Sequence, residues 1–158
     1  MLCAQNAFAA PELAKTAQKC YLALVEGPLP VGSGRIDVPI ARRGDSIIGR
    51  CVREDGKPSV TEYTVLAASA SHALVSCFPV TGRTHQIRVH MAHIGHPILG
   101  DTVYGAKKPV AGLTGQCLHA VGLRFIHPRT GEPVELTCPL PEEFARLADI
   151  LRRESENG

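Results

Sequence analysis

The chain has 158 residues, with 17 Lys and Arg against 15 Asp and Glu for a formal charge of +2. Hydrophobic residues make up 44% and charged residues 20%, the composition of one folded domain rather than of a disordered chain. No apolar run approaches the ~20 residues that a membrane-spanning helix needs, so no membrane partner is expected, and the near-balanced charge does not by itself announce a nucleic-acid binder.

Residues 1–11 hold an Ala-rich stretch, but Gln5 and Asn6 interrupt it and no basic segment precedes it. No secretory signal is therefore expected, and the chain reads as cytoplasmic. Pro11 to Ala17 are helix formers with Pro placed for a first turn. Tyr21 to Val25 form an apolar run of strand length, closed by Gly27-Pro28. Residues 28–34 read as a Pro/Gly turn, and Arg35 to Ile40 as an edge-like element stopped by Pro39.

Residues 41–58 carry four Arg, one Lys and three Gly, a basic loop or hairpin. Thr61–Leu66 and Ala73–Val80 read as antiparallel strands across a short linker. Residues 84–94 place Ile87, Met91 and Ile94 at i, i+4 and i+7, one buried helical stripe. Gly95-His96-Pro97 ends that helix. Residues 105–116 read as a loop, and Leu118–Ile126 and Val134–Cys138 as closing strands around a turn at 127–132. Glu142 to Gly158, with five acidic and three basic residues, is expected to be a surface helix fraying into a solvated tail. The predicted class is α+β, a mixed, mainly antiparallel sheet with a few helices.

The six Cys (3, 20, 51, 77, 117 and 138) stand singly, with no CxxC pair. Reduced thiols are expected, and no structural zinc site.

Unusual residues concentrate at 82–97. Four of the seven His and two Arg fall between Arg83 and His96, and residues 81–110 hold four basic residues against one acidic. On a helix, His85 and Arg88 would share a face, with Gln86, His90 and His93 on an adjacent one. Arg offers bidentate bonds to phosphate, while Gln and His offer hydrogen bonds to base or ribose edges. Two plainer readings compete. His90, His93 and His96 have a three-residue spacing that a metal could use, but it runs past the helix end with no Cys or Glu to complete it. A solvated surface helix would also account for them.

The run Gly82-Arg-Thr-His-Gln-Ile-Arg-Val-His90, followed by Gly95-His-Pro-Ile-Leu-Gly-Asp101 and Tyr104-Gly105, resembles the C-terminal signature of the RluA-type RNA pseudouridine synthases. Lys19-Cys20-Tyr21 with Ala23–Gly27, Gly34-x-Ile36-x-x-Pro39-Ile40, Lys57-Pro58 before Thr61-Glu62-Tyr63, and Leu118-His119-Ala120 agree with it. So does His127-Pro128-x-Thr130-Gly131-Glu132, and the match covers about residues 17–144.

The resemblance implies isomerisation of uridine in ribosomal or transfer RNA, with an Asp nucleophile and neither metal nor organic cofactor. The target base must leave its stack. It implies that Tyr21 packs on the uracil and that Arg88 pairs with the catalytic Asp. It further implies that Arg83, His85 and Gln86 shape the pocket or meet RNA.

The family's His-Arg-Leu-Asp run, which carries the nucleophile, is absent from this chain. Asp37 and Asp101 read as ordinary turn or strand residues. The expected organisation is a partial catalytic domain over 1–145 and a charged helix end over 146–158. Arg88 is then expected to be a partly buried cation without its partner, and the sheet to expose an apolar edge. A chain carrying the missing half, or a swapped homo-oligomer, would cover that edge. The alternative is a non-catalytic RNA-binding module of the same descent, using Arg83, His85, Arg88 and the basic 42–57 loop.

Overall fold

A computed structural model describes residues 9–44, 46–105 and 113–156. Its elements are α1 (Ala9–Thr16), β1 (Gln18–Glu26), β2 (Gly32–Asp37), β3 (Ile40–Arg42), β4 (Arg50–Val52), β5 (Val60–Ala68), β6 (His72–Pro79), α2 (Gln86–His93), β7 (Leu118–Ile126), β8 (Pro133–Thr137) and α3 (Glu142–Glu156). Six strands form one sheet in the order β2-β5-β6-β1-β7-β8, every neighbouring pair antiparallel, and β3 and β4 form a separate hairpin. The α+β class with a mainly antiparallel sheet is as the sequence indicates.

Strand alternation explains the layering. On β1 and β6, Ala23, Val25, Ala73, Val75 and Cys77 lie buried on one face, while Leu24 and Leu74 are buried on the other. The central strands are therefore covered on both sides. The helix α2 belongs to the face that carries Thr61, contributing Ile87 and Met91 to the core, with Ile94 packed beside them. The helix α3 packs on β5 and β6, and α1 on β7.

Several expectations shift. The strand β2 begins at Gly32, inside the expected turn, because Gly34 lets Tyr63 lie across it: a Cβ there would meet the Tyr63 hydroxyl at 2.4 Å. No break falls at 145/146, since α3 runs through that point and buries Phe144, Ala148 and Leu151. Of the 105–116 loop, residues 106–112 lie outside the described residues, as do residues 1–8.

Among the described residues, the outer strands do not show the expected apolar edge. The outer strands are β2, which carries Arg35 and Asp37, and the five-residue β8, which carries Pro133 and Glu135. Charge, Pro and short length blunt both edges. Apolar surface opens instead on a sheet face, in a groove of about 760 Å3 lined by Leu13, Ala14, Ala120, Leu123 and Leu136 among others. Cys20, Cys51, Cys77, Cys117 and Cys138 are free thiols; burial pushes Cys77 up to about 12 and Cys117 up to about 11.

Coverage of the sheet can be tested by truncation. Leu74 is fully buried and Leu66 is 49% exposed. Leu74→Ala should cost about 2–5 kcal/mol in urea unfolding, whereas Leu66→Ala should cost less than about 1 kcal/mol. Equal losses would mean that the Leu66 side of β5 is covered.

Candidate functional site

The segment between α2 and β7 is laid along β1. Glu26 N donates to Pro97 O (2.9 Å), Leu99 N to Leu24 O (2.8 Å), and Leu24 N to Cys117 O (3.0 Å). Ile98 is fully buried in that position. Gly100 then turns the chain at φ +78°, and a Cβ there would sit 2.4 Å from Gly115 O, so only Gly fits. The turn delivers Asp101 to the side of α2.

Asp101 and Arg88 form a bidentate pair, Nε to Oδ2 at 2.7 Å and Nη2 to Oδ1 at 2.8 Å. The side chains are 12% and 0% exposed. Oδ1 also accepts from the backbone N–H groups of Val103 (3.0 Å) and Tyr104 (3.1 Å). Burial would raise the Asp101 carboxyl, but these bonds outweigh it and hold the group below its ordinary value. Hydrogen bonding to Asp101 raises the Arg88 guanidinium in turn. Arg88 is thus not the unpartnered cation the sequence led one to expect. Asp101 does order its turn, as expected, but sequence spacing gave no sign that the same carboxylate reaches Arg88.

The helix is shorter than its 84–94 estimate. His85 lies outside it, in the left-handed region at φ 56°, the single non-glycine with positive φ among the described residues. His85 and Arg88 therefore do not share a helical face. Tyr104 joins them instead: its hydroxyl is 2.8 Å from His85 Nδ1, and its ring lies 4.9 Å from the Arg88 guanidinium carbon. Burial, then the charges of Arg88 and Arg50, lower the His85 pKa and keep the ring neutral. The sequence motif contains Tyr104 without marking this role for it.

Gln86 and His90 are buried anchors. Gln86 Oε1 accepts from the Thr81 hydroxyl (2.7 Å) and Arg83 N (3.0 Å), while Nε2 donates to Val60 O (2.8 Å) and Thr61 Oγ1 (3.0 Å). Its amide is saturated, so the expected contact with RNA gives way to positioning the Arg83 loop. His90 Nε2 faces Val38 O (3.1 Å), an acceptor only, so that nitrogen carries the proton and Nδ1 accepts from Thr61 Oγ1 (2.9 Å). Burial lowers the His90 pKa in agreement with a neutral ring. His96 Nδ1 lies 3.0 Å from Glu26 O, and His93 is exposed. The three histidines do not converge, and among the described residues no cluster of three His, Cys, Asp or Glu is placed to hold a metal.

Tyr21, Arg83, His85, Gln86 and Arg88 line one groove of about 620 Å3, which also takes in Lys19, Gln116 and Leu118. Burial raises the Tyr21 phenol, which keeps it protonated. Among the described residues no carboxylate lines this groove, while Lys19, Arg83 and Arg88 do. Arg83 also lines a second cleft of about 490 Å3, with Arg42, Arg50, Arg53 and Lys57 against Asp55 alone. Asp55 is itself paired with Arg53. The basic hairpin and the groove thus meet at Arg83.

A family model described as RNA pseudouridylate synthase matches residues 1–93. An uncharacterized RNA pseudouridine synthase of Bacillus subtilis, YlyB, is 47% identical over 139 residues, 88% of this chain and 46% of that protein. The ribosomal large subunit pseudouridine synthase D of Xanthomonas campestris is 42% identical, across 96% of this chain and 49% of its own length. The chain spans about half the length of these curated relatives. Among solved structures, human RNA pseudouridylate synthase domain containing 1 superposes with a TM-score of 0.71 at 32% identity, over 87% of this chain and 62% of that one.

The Arg88–Asp101 pair should be a pH-dependent stabiliser. Asp101→Asn removes one charge of a buried pair and should cost about 3 kcal/mol or more at pH 7. Because the folded carboxyl is held low, the wild-type advantage is complete above about pH 4, the unfolded value. It fades as pH falls through the folded value. Denaturant unfolding of both forms from pH 7 to pH 2 checks this; a gap unchanged down to pH 2 would show that the carboxylate contributes no charge-dependent stability.

Proposed function

The chain belongs to the RNA pseudouridylate synthase family, and from that premise we propose that it forms the C-terminal part of an RluA-type active site that isomerises uridine in structured RNA. The observation that carries this reading is the convergence of Tyr21, Arg83, His85 and Arg88, from β1, the loop between β6 and α2, and α2 itself, on one groove. Ribosomal RNA is the favoured substrate, since a relative sharing 42% identity acts on the large ribosomal subunit by its name.

In this reading the uridine is flipped into the groove and its ring lies against Tyr21. The bond from N1 to C1′ breaks, the uracil turns, and C5 bonds to C1′. The C5 proton leaves and N1 gains one, so the reaction is an isomerisation with no net loss of atoms. Tyr21, kept protonated by burial, supplies a neutral surface for the ring. Arg88, its charge balanced by Asp101, keeps Nη1 as a donor for the incoming RNA sugar or phosphate. In this reading the nucleophilic carboxylate is supplied from elsewhere, since none lines the groove among the described residues.

That same absence favours a second reading, a module that holds RNA without modifying it. Two measurements separate them. Mixed with the N-terminal half of a related enzyme, the chain should release tritium from uridine C5, and Tyr21→Ala or Arg88→Ala should abolish the release. Wild-type release by Tyr21→Ala would overturn the placement of the groove. Alone, the chain should bind RNA at ~0.1 M salt, where charge contacts still count. Arg83→Ala combined with Arg53→Ala should then weaken binding about tenfold and flatten its salt dependence. Binding without any release from the mixture would leave the second reading standing.

A further inference from the structure

Tyr104 makes four contacts whose joint effect the catalytic reading does not use. Asp101 fixes its backbone through the N–H at 3.1 Å. Its ring lies beside the Arg88 guanidinium, 4.9 Å from the central carbon. Its hydroxyl accepts the backbone N–H of Arg50, in β4, at 3.0 Å and meets His85 Nδ1 at 2.8 Å.

The hydroxyl has one proton to give. The Arg50 N–H can only donate to it, so the Tyr104 proton is free for His85, the other partner within reach. That makes Nδ1 the acceptor and leaves the imidazole proton on Nε2, which has no hydrogen bond to any described residue in a side chain that lines the groove. The neutral state that burial, Arg88 and Arg50 impose on His85 agrees with this assignment.

We propose that Tyr104 is a positioning residue that ties β4 of the basic hairpin to the groove and fixes the His85 proton on Nε2, so that His85 offers a donor to a base or ribose oxygen. The proposal rests on the reading of the groove as an RNA site only for the last clause, the identity of the acceptor. The tie to β4 runs through a backbone amide, so it does not depend on the Arg50 side chain. It also explains why His85 holds a left-handed backbone: that conformation brings Nδ1 to the tyrosine hydroxyl.

The test uses the whole chain without RNA. Nitrogen-15 spectra of the imidazoles at pH 7 should show His85 protonated on Nε2. Tyr104→Phe keeps the ring beside Arg88 and removes the hydroxyl; it should give mixed His85 tautomers and exchange the Arg50 amide about tenfold faster. The amides of β6 should keep their protection, which a general loss of structure would not allow. A wild-type His85 protonated on Nδ1 overturns the proposal, and that measurement needs no variant. An Arg50 amide unchanged in Tyr104→Phe overturns the tie to β4. RNA binding is measured separately at ~0.1 M salt; its absence would remove the acceptor and the proposed function while leaving both spectroscopic results in force.

Discussion

The site depends on a buried ion pair. Taking Arg88 and Asp101 out of water is costly, and their attraction repays the cost only if the remaining donors and acceptors are satisfied. Asp101 achieves this with two guanidinium bonds and two backbone N–H groups. The same four bonds fix three things at once: the rotation of α2, the tight turn after Gly100, and the placement of Tyr104. The pair is therefore the joint between the helix that carries Arg88 and the segment threaded along β1. With that joint closed, Arg88 has Nε and Nη2 committed, and Nη1 makes no hydrogen bond to any described residue.

Around this joint the electrostatics are one-sided. The groove carries Lys19, Arg83 and Arg88 with no acid among its lining residues. The neighbouring cleft adds Arg42, Arg50, Arg53 and Lys57. A chain with a formal charge of only +2 thus concentrates positive charge along one path, where low-dielectric walls strengthen its field. Asp101 pairs with Arg88 and Asp55 with Arg53, while further acids lie on α3. An anionic polymer lying across both clefts would meet Arg83 at their junction.

The strands were legible because burial on a sheet imposes a simple pattern. Runs such as Tyr21–Val25 and Ala73–Phe78 are nearly continuous apolar stretches, and both proved to be central strands covered on two faces. The spacing of Ile87 and Met91 marked the buried side of α2. Less legible were features set by tertiary approach. The Gly-rich start of β2 looks like a turn until Tyr63 is seen lying over Gly34. Gln86 looks like a base-reading amide until four partners are found filling it. Asp101 reads as a turn residue, and it is one, but its separation of 13 positions from Arg88 carries no local signal of a pair.

These contacts also bear on how folding and chemistry are divided. A buried arginine whose natural partner lay on another segment would leave this part of the fold strained without that segment. Here the charge is already neutralised from within, and Gln86, Thr61 and His90 form a satisfied polar network beneath it. No buried side-chain N or O among the described residues lacks a hydrogen bond. Nothing polar in this region therefore requires an outside carboxylate for stability. Such a carboxylate would enter a preformed, positively charged groove and meet the face of Arg88 that Asp101 leaves unused, so its attraction would act on the reaction rather than on the fold.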